Sequence, residues 1–526
     1  VVVADALASE GMAILEADGK LQVEDYSERT RAELERGLAG ASGLIVRSGT
    51  QADAELIGAG DSLKVVGRAG VGLDNIDLDA ATRRGVAVMN APAGNTVSTA
   101  ELAFALLLSS ARHIPAADRS LRAGRWDRKS FRGAQLSGKT LGVIGAGRIG
   151  TAVIQRARAF GMKVVVADPY MTEERARDMY VELMELDDLL PVVDFLTCHV
   201  PLTSETKGLL DADRINHLPP HAVLVNAARG GIVDEEALAS ALRDGRLAAA
   251  ALDVYDTEPL PADHPLRDVP NLVLTPHLGA ATHDAQREVA IEIAGAVRAA
   301  LLDGDFSPAV NMPPFAAGDR DRLRPVLDLA ERLGSVLGEV IQGGIAEVSV
   351  RYGGEVQRGL RLISSAVLIG LWKVRLDASL NLINALPMAR ERGISVSRAR
   401  VGEVTGYRGT LEVTARSADE VHVVTGAVEA DGQLRLLRID GCNIEVEPRG
   451  YLLIFRNRDE PGVVGEVGTR LGAAGVNIAE FHQARDAETG DSLAVLSLDE
   501  RLEKDVLADL RSIPAIYYAR GVRLDS

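Results

Sequence analysis

One glycine-rich run sets the first chemical constraint. The apolar stretch Leu141-Gly142-Val143-Ile144 suits a buried strand and breaks into Gly145-x-Gly147-x-x-Gly150. It continues as Thr151-Ala152-Val153-Ile154-Gln155-Arg156-Ala157, a helical pattern. Glycines so spaced make a tight turn (Gly145), let a pyrophosphate reach the backbone (Gly147) and allow helix and strand to pack closely (Gly150). The helix N-terminus adds N–H groups and a positive dipole for the anion. In a chain with 52 glycines the motif alone means little. An acidic residue closing the next strand gives it meaning, and Lys163-Val164-Val165-Val166-Ala167-Asp168 puts Asp168 18 positions after Gly150. A carboxylate there accepts both ribose hydroxyls and repels a 2′-phosphate, so the pattern predicts NAD rather than NADP.

Three further loops, each after a strand-like run, carry unusual polar residues. In Val225-Asn226-Ala227-Ala228-Arg229-Gly230-Gly231-Ile232-Val233-Asp234, small residues flank one arginine, and Asp234 offers an N-cap to a helix over 235–242. The others are Leu252-Asp253-Val254-Tyr255-Asp256-Thr257-Glu258-Pro259 and Leu274-Thr275-Pro276-His277-Leu278-Gly279-Ala280. Singly, each has a plain explanation: a capped loop, a turn before proline, a histidine satisfied in a loop. Together they set an arginine, a carboxylate and an imidazole at one edge of the sheet that holds the cofactor. Oxidising a secondary alcohol needs a base for the hydroxyl proton while hydride leaves for nicotinamide. His277 suits the base, since imidazoles titrate near neutrality. Glu258 on the other ring nitrogen would fix the tautomer. Arg229, permanently charged, would hold a carboxylate and polarise the reacting carbonyl. Asp253 is expected on the carboxamide or ribose side of the nicotinamide.

These groups need a frame. Residues 1–92 alternate short strands (1–5, 21–23, 43–47, 65–68, 86–90) with helical patterns such as 30–38 and 78–84, which predicts a parallel sheet covered on both faces. Two strand ends carry Arg47-Ser48 and Arg68-Ala69-Gly70-Val71-Gly72. Arginines there could grip an anion by forked hydrogen bonds, against the commoner fate of a solvated surface arginine. A long helix starts near Thr96. Strands at 195–200, 222–227, 248–254 and 271–275 join the first two to give about six, the number of a doubly wound dinucleotide fold. A helical pattern from His277 to about residue 302 returns the chain to the first sheet. The predicted division is therefore a flavodoxin-like domain over 1–92 and 277–305, with a Rossmann-type NAD domain over 93–276 inserted in it. Residues 303–322, with Pro308, Pro313 and Pro314, read as a linker. An α+β domain over 306–446 should hold helices near 326–341 and 378–392 and strands such as 347–352 and 410–414. The end, 447–526, reads strand–helix–strand–strand–helix–strand, a ferredoxin-like pattern.

Composition bounds the partners. A chain of 526 residues should hold roughly three or four domains. A net charge of −17 argues against nucleic acid or an anionic membrane as a general partner, though an anionic substrate would still need a local basic pocket. Cys198 and Cys442 are the sole cysteines, so neither a disulfide framework nor zinc spacing is predicted, and no metal is expected. Without a long apolar run or a signal peptide, the expected compartment is the cytoplasm. The chain opens inside an apolar strand without methionine, which predicts a short native segment before Val1.

The set Gly-x-Gly-x-x-Gly, Asn-Ala-Ala-Arg-Gly-Gly, Asp-x-x-x-x-Glu-Pro and Thr-Pro-His resembles the D-2-hydroxyacid dehydrogenases. Over its whole length the chain is similar to the long form of that family, which adds an intervening allosteric-substrate-binding-type domain and an ACT regulatory domain. The resemblance implies a catalytic trio at Arg229, Glu258 and His277. It implies cofactor contacts at Val71, Arg148, Ile149, Asp168, Val200, Ala227, Ala228, Asp253, Leu278, Gly279 and Ala280, beside the three glycines. Substrate contacts fall on Arg47, Arg68, Asn95 and Arg128. The implied reaction is NAD-dependent oxidation of D-3-phosphoglycerate to 3-phosphohydroxypyruvate, at the entry to serine synthesis. A dimer or tetramer is implied, with contacts through the helix near 96–110 and the ACT edge. L-serine would bind between paired ACT domains through Asn457, Asp459 and Asn477, against a plain loop-capping role for those residues. A glyoxylate/hydroxypyruvate reductase would share the trio but leave the two C-terminal domains unexplained. A formate dehydrogenase would carry glutamine in place of Glu258. An NAD-sensing corepressor-like protein would bind NADH without turnover and lack the ACT domain.

Overall fold

Short runs of valine, leucine and isoleucine become strands buried on both faces, and the helices between them cover those faces. The computed structural model describes all residues except 316–318, 355–358, 374–379, 403–405, 487–488 and 525–526. The first sheet comprises β1 (Val2–Val3), β2 (Glu24–Asp25), β3 (Gly43–Val46), β4 (Val65–Arg68) and β5 (Ala87–Asn90). It is parallel throughout, in the order β2-β1-β3-β4-β5, which is the flavodoxin-like order. The edge strand β2 lies later than the 21–23 expected: Val2 and Val3 pair with Glu24 and Asp25, while Leu21 and Val23 pack on the core beside it. The helix His283–Asp303 returns to this sheet, and its Val289, Ile293, Ala294 and Val297 share one core with Val3, Ile45, Val65 and Ala87. Gly67 lets it sit flush, since a Cβ there would come 2.7 Å from Val297.

The second sheet comprises β6 (Thr140–Ile144), β7 (Lys163–Ala167), β8 (Glu182–Leu183), β9 (Phe195–Cys198), β10 (Val223–Asn226), β11 (Ala249–Leu252) and β12 (Leu272–Leu274). All are parallel, in the order β12-β11-β10-β9-β6-β7-β8. This is the doubly wound Rossmann order, and it reverses direction between β6 and β9, where such sheets bind dinucleotides. The strand beyond the expected six is β8, two residues long and too polar to leave an apolar run. The helix Thr96–Ala111 covers one face through Ala103, Phe104 and Leu107, which pack with Val143, Val153 and Val225.

The proline-rich stretch after Asp303 is docked rather than free. Val310 N donates to Val88 O at 2.8 Å. Asn311 accepts from Val88 N at 2.9 Å and donates to Val86 O at 2.9 Å. Ala309 and Met312 join the core of the first sheet. A helix, Arg320–Val340, begins before the stretch ends.

The third sheet comprises β13 (Ile345–Gly354), β14 (Ser395–Arg400), β15 (Tyr407–Ser417), β16 (Val421–Glu429), β17 (Leu434–Ile439) and β18 (Cys442–Val446), in the order β14-β13-β15-β16-β17-β18. The helix expected over 378–392 is observed as Ala385–Glu391, its first two expected positions lying outside the described residues. A helix that periodicity missed, Leu360–Lys373, has buried residues all round, so it shows no polar face for a periodic pattern to reveal. The fourth sheet comprises β19 (Gly450–Asn457), β20 (Ile478–Arg485), β21 (Ser492–Leu498) and β22 (Ile516–Leu524). It is antiparallel in the order β20-β21-β19-β22, with helices Val463–Ala473 and Lys504–Arg511 giving the ferredoxin-like βαββαβ path. Its Leu452, Ile454, Val495 and Val522 pack into the same core as Val350, Val413 and Leu333 of the third unit. Among the described residues, no helix is long and apolar enough to cross a membrane.

Candidate active site

Each polar loop of the second sheet leaves the carboxyl end of a strand, and buried side chains set its path. After β10, the buried Asn226 folds its loop back, donating to Arg229 O at 2.9 Å and accepting from Ala228 N at 3.0 Å. Arg229 Nη1 donates to Ala228 O at 2.7 Å, and its Nε lies 3.4 Å from Asp74 of the first unit. Gly72 makes room for that pair, since a Cβ there would meet both Arg229 and Asp74. Asp234 caps the helix Glu235–Arg243.

After β11, Glu258 accepts from Tyr255 N at 3.0 Å through Oε1 and meets His277 Nδ1 at 2.6 Å through Oε2. Burial pushes the Glu258 carboxyl up, but the hydrogen bonds from His277 and Tyr255 N and the charge of Arg229 outweigh it and hold it below the usual carboxylate value. The His277 backbone is left-handed, with φ 53°, unusual for a residue with a side chain. Asp253 accounts for that turn: its carboxylate accepts from Thr275 Oγ1 (2.6 Å), Leu278 N (2.8 Å) and Gly279 N (3.0 Å). Asp253 is wholly buried, and desolvation raises its carboxyl above the usual value despite those bonds. Gly279 O in turn accepts from Ser98 Oγ at 2.7 Å and Thr99 Oγ1 at 3.0 Å. On the other crossing between the two units, Glu292 accepts from Ala93 N and Gly94 N.

The glycine loop has the shape that a pyrophosphate requires. Gly145 is left-handed (φ 87°), and a Cβ there would come 2.6 Å from Val200. A Cβ at Gly150 would come 2.1 Å from Gly145 O, whereas one at Gly147 meets nothing within 4 Å. Gly147 thus offers open backbone at the start of the helix Arg148–Ala159, a donor set that fits a dinucleotide phosphate. Asp168 closes β7 and also ties the loop down, accepting from Ala146 N and Tyr170 N at 2.8 Å each. Ile149, Val200 and Ala228 are half-buried, Ala227 is buried, and Arg148 is exposed. Val71, from the first unit, accepts from Asn90 Nδ2 at 2.6 Å. Cys198, at the end of β9, is an inert thiol that burial pushes up to about 12.

Of the expected substrate residues, the structure brings Arg47 and Arg68 toward Arg229. Burial, the like charge of Arg229 and then that of Arg47 hold Arg68 below the usual arginine value, with Asp74 and Asp5 opposing. Its Nε is buried without a partner, and Gly70 lets it fold over the backbone. Arg47 Nη1 donates to Ala6 O at 3.0 Å. Asn95 precedes the helix Thr96–Ala111 with its Oδ1 buried and unpartnered. Arg128 is left outside this group, exposed in the loop after the helix Ile114–Arg122. Asp74, Asn226 and Asp256 hold the site together, yet sequence reasoning assigned them no role. For Asp74 the available signal was an acid just past the second arginine-bearing strand end.

In the fourth sheet, Asn457 and Asp459 lie at one end of β21 and Asn477 at the other. Asn457 pairs with Ser492 and Ile478 with Leu498, about 20 Å apart along a strand of that length. Asn457 is buried, donating to Arg458 O while its Oδ1 has no partner. Asp459 pairs with Arg485, and Asn477 donates to Asp499 at 2.6 Å.

The model described as D-isomer specific 2-hydroxyacid dehydrogenase, NAD binding domain, matches residues 104–279. The D-3-phosphoglycerate dehydrogenase intervening domain matches 322–440, and the ACT domain matches 451–515. A D-3-phosphoglycerate dehydrogenase of Archaeoglobus fulgidus is 40% identical over 527 residues, covering 100% of both chains. The chain belongs to the D-3-phosphoglycerate dehydrogenase family. A Bacillus subtilis member of that family is 38% identical over 525 residues, covering 100% of this chain and 99% of its own. Among solved structures, the TT0316 protein of Thermus thermophilus is 39% identical with a TM-score of 0.53, covering 58% of this chain and 96% of its own. A glyoxylate reductase from Paecilomyes thermophila is 30% identical with a TM-score of 0.52, covering 58% of this chain and 95% of its own.

Proposed function

We propose that the chain oxidises D-3-phosphoglycerate to 3-phosphohydroxypyruvate with NAD, opening the route to L-serine. The observation that carries this reading is the 2.6 Å Glu258–His277 pair, which has Arg229 beside it and Arg68 beyond, on the same carboxyl edge of the sheet as the glycine loop. Full-length kinship with enzymes of that name supports it.

In this reading Nδ1 of His277 is committed to Glu258, which leaves Nε2 to take the C2 hydroxyl proton. Glu258, kept ionised, offsets the charge that the imidazole gains. Arg229 holds the C1 carboxylate and stabilises charge on the C2 oxygen. Arg68 and Arg47, with Asn95, meet the phosphate, and the buried, unpartnered Nε of Arg68 is a donor open to that anion. NAD would supply the acceptor for the C2 hydride. Gly145, Gly147, Gly150, Arg148 and Ile149 would cradle its pyrophosphate, and Asp168 would take the ribose. Val71, Val200, Ala227, Ala228 and the 278–280 loop line its remaining length. Asp253 serves the nicotinamide side, chiefly through the loop that it holds.

For the C-terminal unit we propose L-serine as effector. The unpartnered Oδ1 of Asn457 suits an ammonium group, and since Asn477 lies at the far end of β21, the full set needs two ACT units side by side. Exposed Val97, Ile114, Leu121 and Trp126 on and beside two successive helices support a homodimer or larger homo-oligomer. We place the protein in the cytoplasm, in keeping with its two buried free cysteines.

The deciding experiment follows NADH formation from D-3-phosphoglycerate, with D-lactate and D-glycerate as controls. Strong preference for the phosphorylated acid is expected. An intact, NAD-bound protein that fails to turn it over overturns the assignment.

A further inference from the structure

The loops that carry Arg229 and Glu258 are cross-braced. Gly231 N, two residues past Arg229, donates to Asp256 Oδ1 at 2.5 Å, and Asp256 stands two residues before Glu258. Asp256 N donates back to Glu235 Oε1 at 2.8 Å, on the helix that follows the arginine loop. Between these bonds Gly230 lies flat on the neighbouring backbone, where a Cβ would come 1.9 Å from Tyr255 O. The next backbone donor in that stretch, Tyr255 N, anchors Glu258. Asp256 therefore reaches one loop with its side chain and is gripped by the element after that loop through its backbone. A carboxylate on a backbone N–H makes a strong, short bond. The Arg229–Asp74 pair, at 3.4 Å, is the longer contact; both carboxylates are exposed, and the Asp256 bond differs in being short and made to backbone.

We propose that Asp256 is a positioning residue for the dehydrogenase reaction: by accepting from Gly231 N–H it sets where the Arg229 guanidinium stands relative to the Glu258–His277 pair. It touches neither substrate nor cofactor. This inference rests on the roles given above to Arg229, Glu258 and His277.

The test uses the full-length protein at saturating NAD. Displacing a substrate-orienting group by about an ångström costs on the order of 100-fold. Asp256→Ala should therefore raise KM for D-3-phosphoglycerate about tenfold and lower kcat about tenfold, with NAD affinity unchanged. Asp256→Asn keeps an acceptor oxygen and should recover most of both losses. Asp256→Ser, whose hydroxyl falls short of Gly231 N, should behave like the alanine variant and serves if that variant does not fold. A purely structural role would lower the melting temperature and the active fraction but leave KM alone. Wild-type KM and kcat in the alanine and serine variants overturn the proposal, as does an asparagine variant as impaired as they are. Arg229→Ala and His277→Ala run alongside: if they stay active, the site assignment fails, whatever Asp256 does.

Discussion

At the scale of single residues, the site separates groups that act from groups that hold them. His277→Ala removes the proposed base and should cut turnover by about 100-fold or more, while NAD binding, measured by fluorescence titration, stays as it was. Turnover that survives would remove His277 from the mechanism. Asp168, proposed to take the ribose, already accepts from Ala146 N and Tyr170 N. Asp168→Ala should weaken NAD and narrow its advantage over NADP, and an unchanged ratio of kcat/KM for the two would contradict the ribose role. The acting groups were legible because each follows an apolar strand at a motif spacing. The holding groups were not. In sequence Asp253 points to the nicotinamide side, and only its three donors and its complete burial show that it shapes the left-handed His277 turn.

At the scale of elements, glycines of one motif do unlike work. A methyl group at Gly150 would collide with Gly145 O, so Gly150→Ala should cost about 1–3 kcal/mol or more of stability, read as a lowered melting temperature. Gly147 has open space around it, so Gly147→Ala should melt as wild type yet bind NAD more weakly if, as proposed, the pyrophosphate approaches the backbone there. Equal melting losses in the two variants would contradict this division. The parallel strands were readable because buried strands leave continuous apolar runs. Elements without such contrast escaped: β8 is too short and polar, and the helix Leu360–Lys373 is buried on every side. The stretch after Asp303 looked like a linker because prolines and glycines mark irregular backbone. They do not reveal that Asn311 pins that backbone to β5.

At the scale of the whole molecule, the third and fourth units are joined by charge as well as by a shared core. His422 meets Asp440 at 2.9 Å and Glu420 at 3.4 Å, and Arg456 of β19 meets the same Asp440 at 3.1 Å. The hydrogen bond to Asp440 raises the His422 imidazole above its ordinary value of 6.5, against the effect of burial. A raised imidazole stabilises the fold fully below that ordinary value and loses its contribution as pH climbs through the raised one. The melting temperature of the wild type relative to His422→Gln should therefore be highest in mild acid and fall as pH rises past neutrality; a difference that stays flat with pH would contradict this. The return of the helix His283–Asp303 to the first sheet also has a consequence for synthesis. Val289, Ile293 and Val297 complete a face that Val3, Ile45 and Val65 begin, yet the ribosome makes the whole second sheet in between. At about 5–20 residues per second, the opening strands wait roughly 10–40 s for their cover. The nascent chain must therefore keep that apolar face from aggregating while its interior neighbour folds first.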